Sequence, residues 1–242
     1  MEKLITNPKA DKKFRQANNF IESKFSDFRL LELKTFEFLA SLTKKVDIEY
    51  VKNKQNKVVS VKLIDLAKVL NFNTNHLYDE IHNIVEKLFK KCAAFKYVED
   101  GKTAYKLRHF IDKVDYRDGI FTFEINHEVL PYFVDIKKEY TEINLKYISA
   151  LDSIYALRIY KLLKQYTTIE SRNFKIKELK DILGIIGYST YGQLKQSVIT
   201  PAVEKINLNT DIHVEFSEIK VGKKIEEIDF KISSVPKIKV VK

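Results

Sequence analysis

The amino-acid sequence predicts an α+β protein in which one arrangement of helices and hairpins is used twice in tandem. Three observations carry that expectation. First, the stretch from Val59 to Val85 aligns without a gap on the stretch from Arg172 to Val198, an offset of 113 positions (59 to 172). Val61 meets Phe174, Leu66 meets Leu179, Val69 meets Ile182, Tyr78 meets Tyr191 and Val85 meets Val198, while Asp65 meets Glu178. Helical periodicity alone produces some such matches; the paired tyrosines, acids and strand starts mark a repeat. Second, the chain has only 6 glycines, and they punctuate it. Asp100-Gly101 and Asp118-Gly119 are turn dipeptides between β-like runs, Gly222 lies between two more, and Gly184 follows a helical pattern as a stop. Third, "YGQLKQSVITPAVEKIN" (Tyr191–Asn207) has apolar residues at helical spacing, and no acid occurs between Asp181 and Glu204.

The first half opens with a long amphipathic helix, "FRLLELKTFEFLASLTKK" (Phe28–Lys45). A β-run follows at Val58–Val61, then a short helix at Leu63–Leu70 and a longer one at Thr74–Lys91. The hairpin "AAFKYVEDGKTAYKLRHF" and a further strand at Gly119–Ile125 complete it. The second half repeats the order: a helix at "YISALDSIYALRIYKLLKQY" (Tyr147–Tyr166), a β-run at Phe174–Ile176, a short helix at Lys177–Leu183, a longer one at Thr190–Asn207, and the hairpin "DIHVEFSEIKVGKKIEEIDFKI". Helix, strand, helix, turn, helix, hairpin is the order of a winged helix, a helix-turn-helix with a β-hairpin wing. Two tandem winged-helix domains follow, at residues 1–138 and 139–242, joined near Val134–Asn144.

Pro201 sits inside this helix, where it removes a backbone donor and crowds the preceding turn. Two conformations satisfy it: one kinked, continuous helix, or a new helix capped by Thr200 with Pro201 in its first turn.

Charge indicates the partner. The chain has 43 Lys+Arg against 33 Asp+Glu, a net +10. That balance biases a protein toward polyanions, nucleic acid first, although a lysine-rich chain of other function would share it. The second helix of a helix-turn-helix presents its N-terminal residues to base edges in the major groove. Acids there would repel phosphates, so their absence fits a DNA-facing surface. Tyr191, Gln193, Lys195 and Gln196 are the candidate base readers, because Gln pairs bidentately with adenine and Lys donates to guanine. Leu194, Val198 and Ala202 face the core. Lys220, Lys223 and Lys224 cluster at the wing tip as phosphate contacts. In the first half the equivalent helix carries Asp79, Glu80 and Glu86, which disfavour close groove contact along its length. Asn73, Thr74, Asn75 and His76 at its start remain candidates, with Lys102, Lys106 and Arg108 on the hairpin taken as its wing. This half reads DNA, makes a protein contact, or does both.

Other chemistries lack their residues. No glycine-rich Lys-Ser/Thr phosphate loop occurs. His76, His82, His109, His127 and His213 form no His-x-His pair, and no metal or cofactor site is expected. A tyrosine nucleophile would need a metal or an arginine cluster beside it, and neither is evident, so the chain is expected not to be an enzyme. The single cysteine, Cys92, excludes an internal disulfide and is expected to be buried and inert. No apolar run approaches the ~18 residues of a membrane span. The N-terminus lacks the apolar core of a signal peptide, so a cytoplasmic location is expected.

The second half resembles the initiator Rep proteins of theta-replicating plasmids. "LDSIYALRIYKLLKQY" carries the family's Ser, aromatic and Arg-aliphatic-Tyr-x-Leu-Leu pattern as Ser153, Tyr155, Arg158, Ile159, Tyr160, Leu162 and Leu163. The later Pro-Ala, Glu and Ile-Asn signature is Pro201, Ala202, Glu204, Ile206 and Asn207. The resemblance covers about residues 145 to 232; the first half matches in layout more than in motif. Lys161 departs from the acid that the family commonly has after the tyrosine, and is expected at the surface. The resemblance implies binding to directly repeated origin sequences (iterons), opening of the origin, and repression of the protein's own gene. It adds Arg158 to the candidate DNA contacts and implies a homodimer through the N-terminal domain, with the host initiator and replicative helicase as partners. The basic tail after Ser233 would be mobile and add nonspecific DNA affinity. A tandem winged-helix transcription regulator without a replication role is the alternative.

Overall fold

The repeat seen in the sequence is present in the backbone. The computed structural model describes residues 11–24, 28–44, 47–72, 76–134 and 136–235, with the main chain alone at 93–98. The chain divides into two units, residues 1–149 and 150–242. Unit 1 begins with β1 (Lys13–Ala17), α1 (Asn18–Ile21), α2 (Leu30–Ser41) and α3 (Ile48–Lys52). It continues with β2 (Lys57–Lys62), α4 (Leu63–Leu70), α5 (Leu77–Phe89), β3 (Cys92–Glu99), β4 (Lys102–His109), β5 (Ile111–Arg117) and β6 (Ile120–Ile125). β7 (Tyr140–Asn144) and α6 (Leu145–Ala150) follow. Unit 2 contains α7 (Ile154–Lys164), β8 (Ser171–Lys175), α8 (Ile176–Leu183), α9 (residues 191–209), β9 (Ile212–Val221) and β10 (Lys224–Ser234).

Each unit has a three-stranded antiparallel sheet with the last strand in the middle, in the order β2-β6-β5 or β8-β10-β9. The rungs correspond. Val61, Phe121 and Tyr116 lie abreast in unit 1, as Phe174, Ile228 and Glu218 do in unit 2. The helix-turn-helix bends correspond as well. Asn71 (φ +55°) and Gly184 (φ +69°) end α4 and α8 in the left-handed conformation that closes a helix. The next residue in each donates back by the same step, Phe72 N–H to Ala67 O and Ile185 N–H to Lys180 O, both at 2.9 Å. Asparagine tolerates that conformation better than other side chains because it is short and polar, so it can replace glycine there.

Several expectations need correction. The winged-helix hairpin of unit 1 is β5–β6, not the pair β3–β4, which forms a separate two-stranded sheet without a counterpart among the described residues of unit 2. Both Asp-Gly dipeptides make two-residue turns with both residues at positive φ, +50° and +72° at Asp100-Gly101 and +50° and +77° at Asp118-Gly119. This twist matches the flanking strands, so the two hairpins look alike in sequence. The expected joining segment contains β7, which pairs antiparallel with β1, and the first unit runs to Ser149, past the expected boundary at 138. The helix expected over 147–166 is interrupted at Leu151-Asp152-Ser153, where the Ser153 hydroxyl caps α7 by accepting from Ala156 N–H at 3.4 Å. α2 and α7 are not amphipathic in place: Glu32 to Ser41 and Ala156 to Leu163 are buried on every side. Cys92 is only half-buried.

Apolar burial drives both cores. In unit 1 Phe20, wholly buried, meets Phe133, Phe36, Tyr132 and Phe110 at ring-centroid distances of 4.8, 5.6, 5.6 and 5.9 Å. In unit 2 Tyr160, Leu157, Leu162, Ile206, Phe174 and Phe230 are buried at 1% exposure or less. Tyr160 also supplies a polar tie, donating to Asp211 Oδ1 at 3.0 Å, while Lys164 Nζ reaches Asp211 Oδ2 at 2.7 Å. Asp211 lies between α9 and β9, so this tie pins the end of α9 to α7. Asn207 adds a second, pairing both ways with the Val214 backbone at 2.7 and 2.9 Å.

Candidate nucleic-acid interface

α9 is one helix with a wide turn in the middle. It runs as α-helix at Tyr191–Leu194, as a π-turn at Lys195–Ile199 and as α-helix again at Thr200–Asn209. Thr200 has helical dihedrals (φ −58°, ψ −52°) and donates to Lys195 O five residues back. It is therefore no N-cap, and the continuous helix of the two alternatives is the one adopted. Proline has no N–H to give, and a wide turn accommodates the missing bond. Leu194, Val198, Ile199, Ala202, Val203 and Ile206 are buried; Gln196, Ser197 and Glu204 are exposed.

The start of α9 is fixed by a capping box. The Thr190 hydroxyl accepts from Gln193 N–H, and Gln193 Oε1 accepts from Thr190 N–H, both at 3.3 Å. Ser189 Oγ also reaches Gln193 Oε1, at 3.2 Å. The expected role of Gln193 changes accordingly: bidentate pairing with adenine needs its carbonyl as well as its amide, and the cap holds the carbonyl. Gln196 is exposed and unchanged in assignment.

Lys195 and Tyr191 meet the wing. Lys195 Nζ lies 2.7 Å from Glu218 Oε1 on β9 and 5.7 Å from the centroid of the Phe216 ring. The paired Lys195 ammonium is the chief reason the Glu218 carboxyl is held below its ordinary range; the neighbouring Tyr191 hydroxyl adds to it. Burial, then the neighbouring Glu218 charge, pushes the Tyr191 hydroxyl well above the ordinary tyrosine range. Tyr191 is thus a neutral, half-buried ring, not a freely projecting base reader. At the far end of the wing, Lys220, Lys223 and Lys224 are all exposed around the turn at Gly222. They form the cationic tip that the sequence suggests.

Arg158 is not on this surface. It is 3% exposed in α7 and donates to Ile182 O at 3.1 Å, satisfying a carbonyl in the last turn of α8. Lys161, expected at the surface, is fully buried in the same helix. In unit 1, His76 is exposed immediately before α5, and Asn73, Thr74 and Asn75 lie outside the described residues. Lys102 and Lys106 are exposed on β4, in a different sheet from the one that carries the wing. Arg108 is ion-paired with Glu128. The wing β5–β6 instead ends in Arg117, which is exposed and lies 3.3 Å from Asp118. The tail beyond Val235 also falls outside the described residues.

Glu218, Phe216 and Thr190 escaped the sequence reading. Thr190 had a signal, the Thr-x-x-Gln box ahead of an apolar run. Glu218 had a weaker one: it follows Ile212, Val214 and Phe216 at period two, where the sheet's inner face calls for an apolar residue.

Among the described residues no cluster of His, Cys, Asp and Glu could hold a metal ion. None of the helices there is long and apolar enough to cross a membrane.

Fold and site together define a tandem winged-helix protein whose second unit presents a helix with an acid-free N-terminal half and a lysine-tipped wing. The chain belongs to the initiator replication protein family: residues 13–164 match the family's first winged-helix domain (Initiator Replication protein, WH1) and residues 175–232 its second (Initiator Rep protein, WH2). A solved structure of the Pi initiator protein in complex with iteron DNA matches with a TM-score of 0.73 at 17% identity, covering 95% of this chain and 100% of that one. Domains 2 and 3 of RctB match with a TM-score of 0.53 at 8% identity, over 84% of this chain and 81% of that one. An uncharacterized 27.6 kDa protein of Escherichia coli is 23% identical over 167 residues, 67% of this chain and 70% of that protein.

Proposed function

We propose that the protein initiates replication of a plasmid by binding directly repeated sequences in double-stranded origin DNA. One observation carries the reading at the level of residues. In a family of replication initiators, α9 offers an acid-free N-terminal half beside a wing whose exposed tip is Lys220, Lys223 and Lys224. Phosphate contacts from the wing set the register on the duplex, and the start of α9 reads base edges in the major groove. Unit 2 supplies most of the sequence reading and unit 1 covers an adjacent turn of the same repeat. Occupation of several repeats strains the origin and helps a neighbouring AT-rich segment to open.

The remaining parts of the reading follow from this role. The protein makes and breaks no covalent bond and takes no cofactor. It acts in the cytoplasm with the host initiator and replicative helicase. A homodimer through unit 1 represses its own gene, consistent with the acids Asp79, Glu80 and Glu86 on α5, which suit a protein contact better than a groove.

Footprinting on the DNA flanking the protein's own gene, at two salt concentrations, tests the proposal. Protection of evenly spaced direct repeats is the expected result. Protection of a single palindrome would make it a transcription regulator. Absence of protection at either salt would refute DNA recognition as its function.

A further inference from the structure

Glu218 breaks the rule of its own strand. Along β9 the inward-facing positions are Ile212, Val214 and Phe216, and the next is an acid. Its side chain is 27% exposed, set between the sheet and α9 beside the surface assigned to DNA. A carboxylate there repels phosphates and loses hydration, so it needs a compensating partner. That partner is Lys195, at 2.7 Å, with the Tyr191 hydroxyl buried alongside.

Unit 1 provides an internal comparison. The offset of 113 places Tyr78 where unit 2 has Tyr191, and His82 where it has Lys195. The rung containing Val61 and Phe121 places Tyr116 where unit 2 has Glu218. Tyr78 packs on Tyr116 at 4.9 Å between ring centroids and on His82 at 5.7 Å. Both units therefore join the second helix of the helix-turn-helix to the wing through the same three positions. In unit 1 the junction is aromatic. In unit 2 it is an ion pair, so the scaffold does not require a charge there.

We propose that Glu218 is a specificity-determining positioning residue, holding the Lys195 ammonium in one orientation and cancelling its charge toward indiscriminate phosphate binding. This rests on the reading of α9 as the base-reading helix. A free lysine at a DNA surface finds any phosphate, because its head is a compact charge on a flexible stem. Such contacts raise affinity for all sequences alike. An ammonium held by a carboxylate keeps two donors for an acceptor on a base edge, in a place set by the wing. The pair adds no net charge, so it favours a correctly placed base over a passing phosphate.

The test is Glu218→Gln in the full chain, alone and in a Lys195→Met background. Glutamine retains the shape and an acceptor and removes the charge. Affinity is measured on a duplex carrying the footprinted repeat and on a scrambled duplex of the same composition, across a salt series. The expected result for Glu218→Gln is tighter binding to scrambled DNA, with the log–log salt slope steeper by about 0.9, the value of one added phosphate contact. Discrimination between the two duplexes falls by about tenfold, the lower range of a lost base contact. In the Lys195→Met background the same substitution leaves the slope unchanged. A wild-type protein that discriminates, with a Glu218→Gln variant of unchanged slope and discrimination, would overturn the latch and leave the DNA-binding reading intact. An equal slope change in both backgrounds would also overturn it, since Glu218 would then act as a bare charge. A wild-type protein with equal affinity for the two duplexes would overturn the reading itself and the latch with it.

Discussion

Asp211→Ala tests whether the position of α9 depends on a single tie to α7. Tyr160 is fully buried and donates to Asp211 Oδ1 at 3.0 Å; Lys164 reaches Oδ2 at 2.7 Å. A hydrogen bond to a charged group contributes about 1.5–3 kcal/mol, and depriving a buried donor of its acceptor costs about 1–3 kcal/mol. The Lys164 pair is partly exposed, 18% and 27% at the two side chains, and adds at most about 1 kcal/mol. Asp211→Ala should therefore destabilise unit 2 by about 2–3 kcal/mol, and at about 4–8 °C per kcal/mol for a domain of this size its melting point falls by about 10–20 °C. Asp211→Asn keeps an acceptor for Tyr160 and loses only the charge, so it costs about 1 kcal/mol. Calorimetry of the full chain measures the transition, and hydrogen exchange across Ile154–Lys164 assigns it to unit 2. A double-mutant cycle with Tyr160→Phe isolates the pair. Additivity within about 0.3–0.5 kcal/mol would mean that the two groups do not couple, and the anchoring argument would fail. Equal losses for Asp211→Asn and Asp211→Ala would place the whole effect on charge instead.

Three further outcomes follow from the DNA-facing surface. Lys195→Ala weakens binding to the specific repeat by about 1–3 kcal/mol; equal losses on random DNA, read by titration on both duplexes, would reduce Lys195 to a phosphate contact. Lys223→Ala weakens all DNA alike and lowers the salt slope by about 0.9; a loss confined to the specific repeat would remove Lys223 from the phosphate contacts. The third concerns pH. The folded-state pKa of Glu218 is depressed below its ordinary value of 4.5, so its contribution to stability is present above that value and fades as pH falls through the folded pKa. The stability difference between wild type and Glu218→Gln is thus constant near neutrality and disappears in acid; a difference that grows below pH 4.5 would contradict the pairing.

The scaffold was legible because it is written in local rules. Asp-Gly turns in the first half, a helix stop at Gly184 in the second and apolar spacing in both are all properties of neighbouring residues. The errors have a common cause, contacts between residues distant in sequence. Two hairpins in unit 1 have the same turn chemistry, and only pairing with β2 decides which is the wing. Arg158 and Lys161 look exposed in a one-dimensional reading, yet α7 is buried all round, and Arg158 serves a carbonyl 24 residues away. Lys195 looks like a free cation until the wing brings Glu218 to it.

The wide turn of α9 is the instructive case, because its signal lies in the spacing of four residues. Leu194, Val198, Ala202 and Ile206 recur every four residues. On a regular α-helix of 3.6 residues per turn, three such steps drift by about 120° around the axis, so the row spirals instead of running straight. All four are nevertheless buried at 1% exposure or less. A π-turn at Lys195–Ile199 has more residues per turn and draws the row back toward a line. Pro201 follows it after one residue, Thr200, and its missing N–H makes an ordinary turn hard to close there. Proline and four-residue spacing are therefore two expressions of one backbone feature. That feature begins at Lys195, the residue that meets Glu218, so the irregular turn in the helix coincides with its contact to the wing. A π-turn is less favourable than the α-helix it replaces, and such turns collect at functional sites. The wide turn and the wing contact fall on one stretch of α9, directly after the start of the helix that is proposed to read base edges.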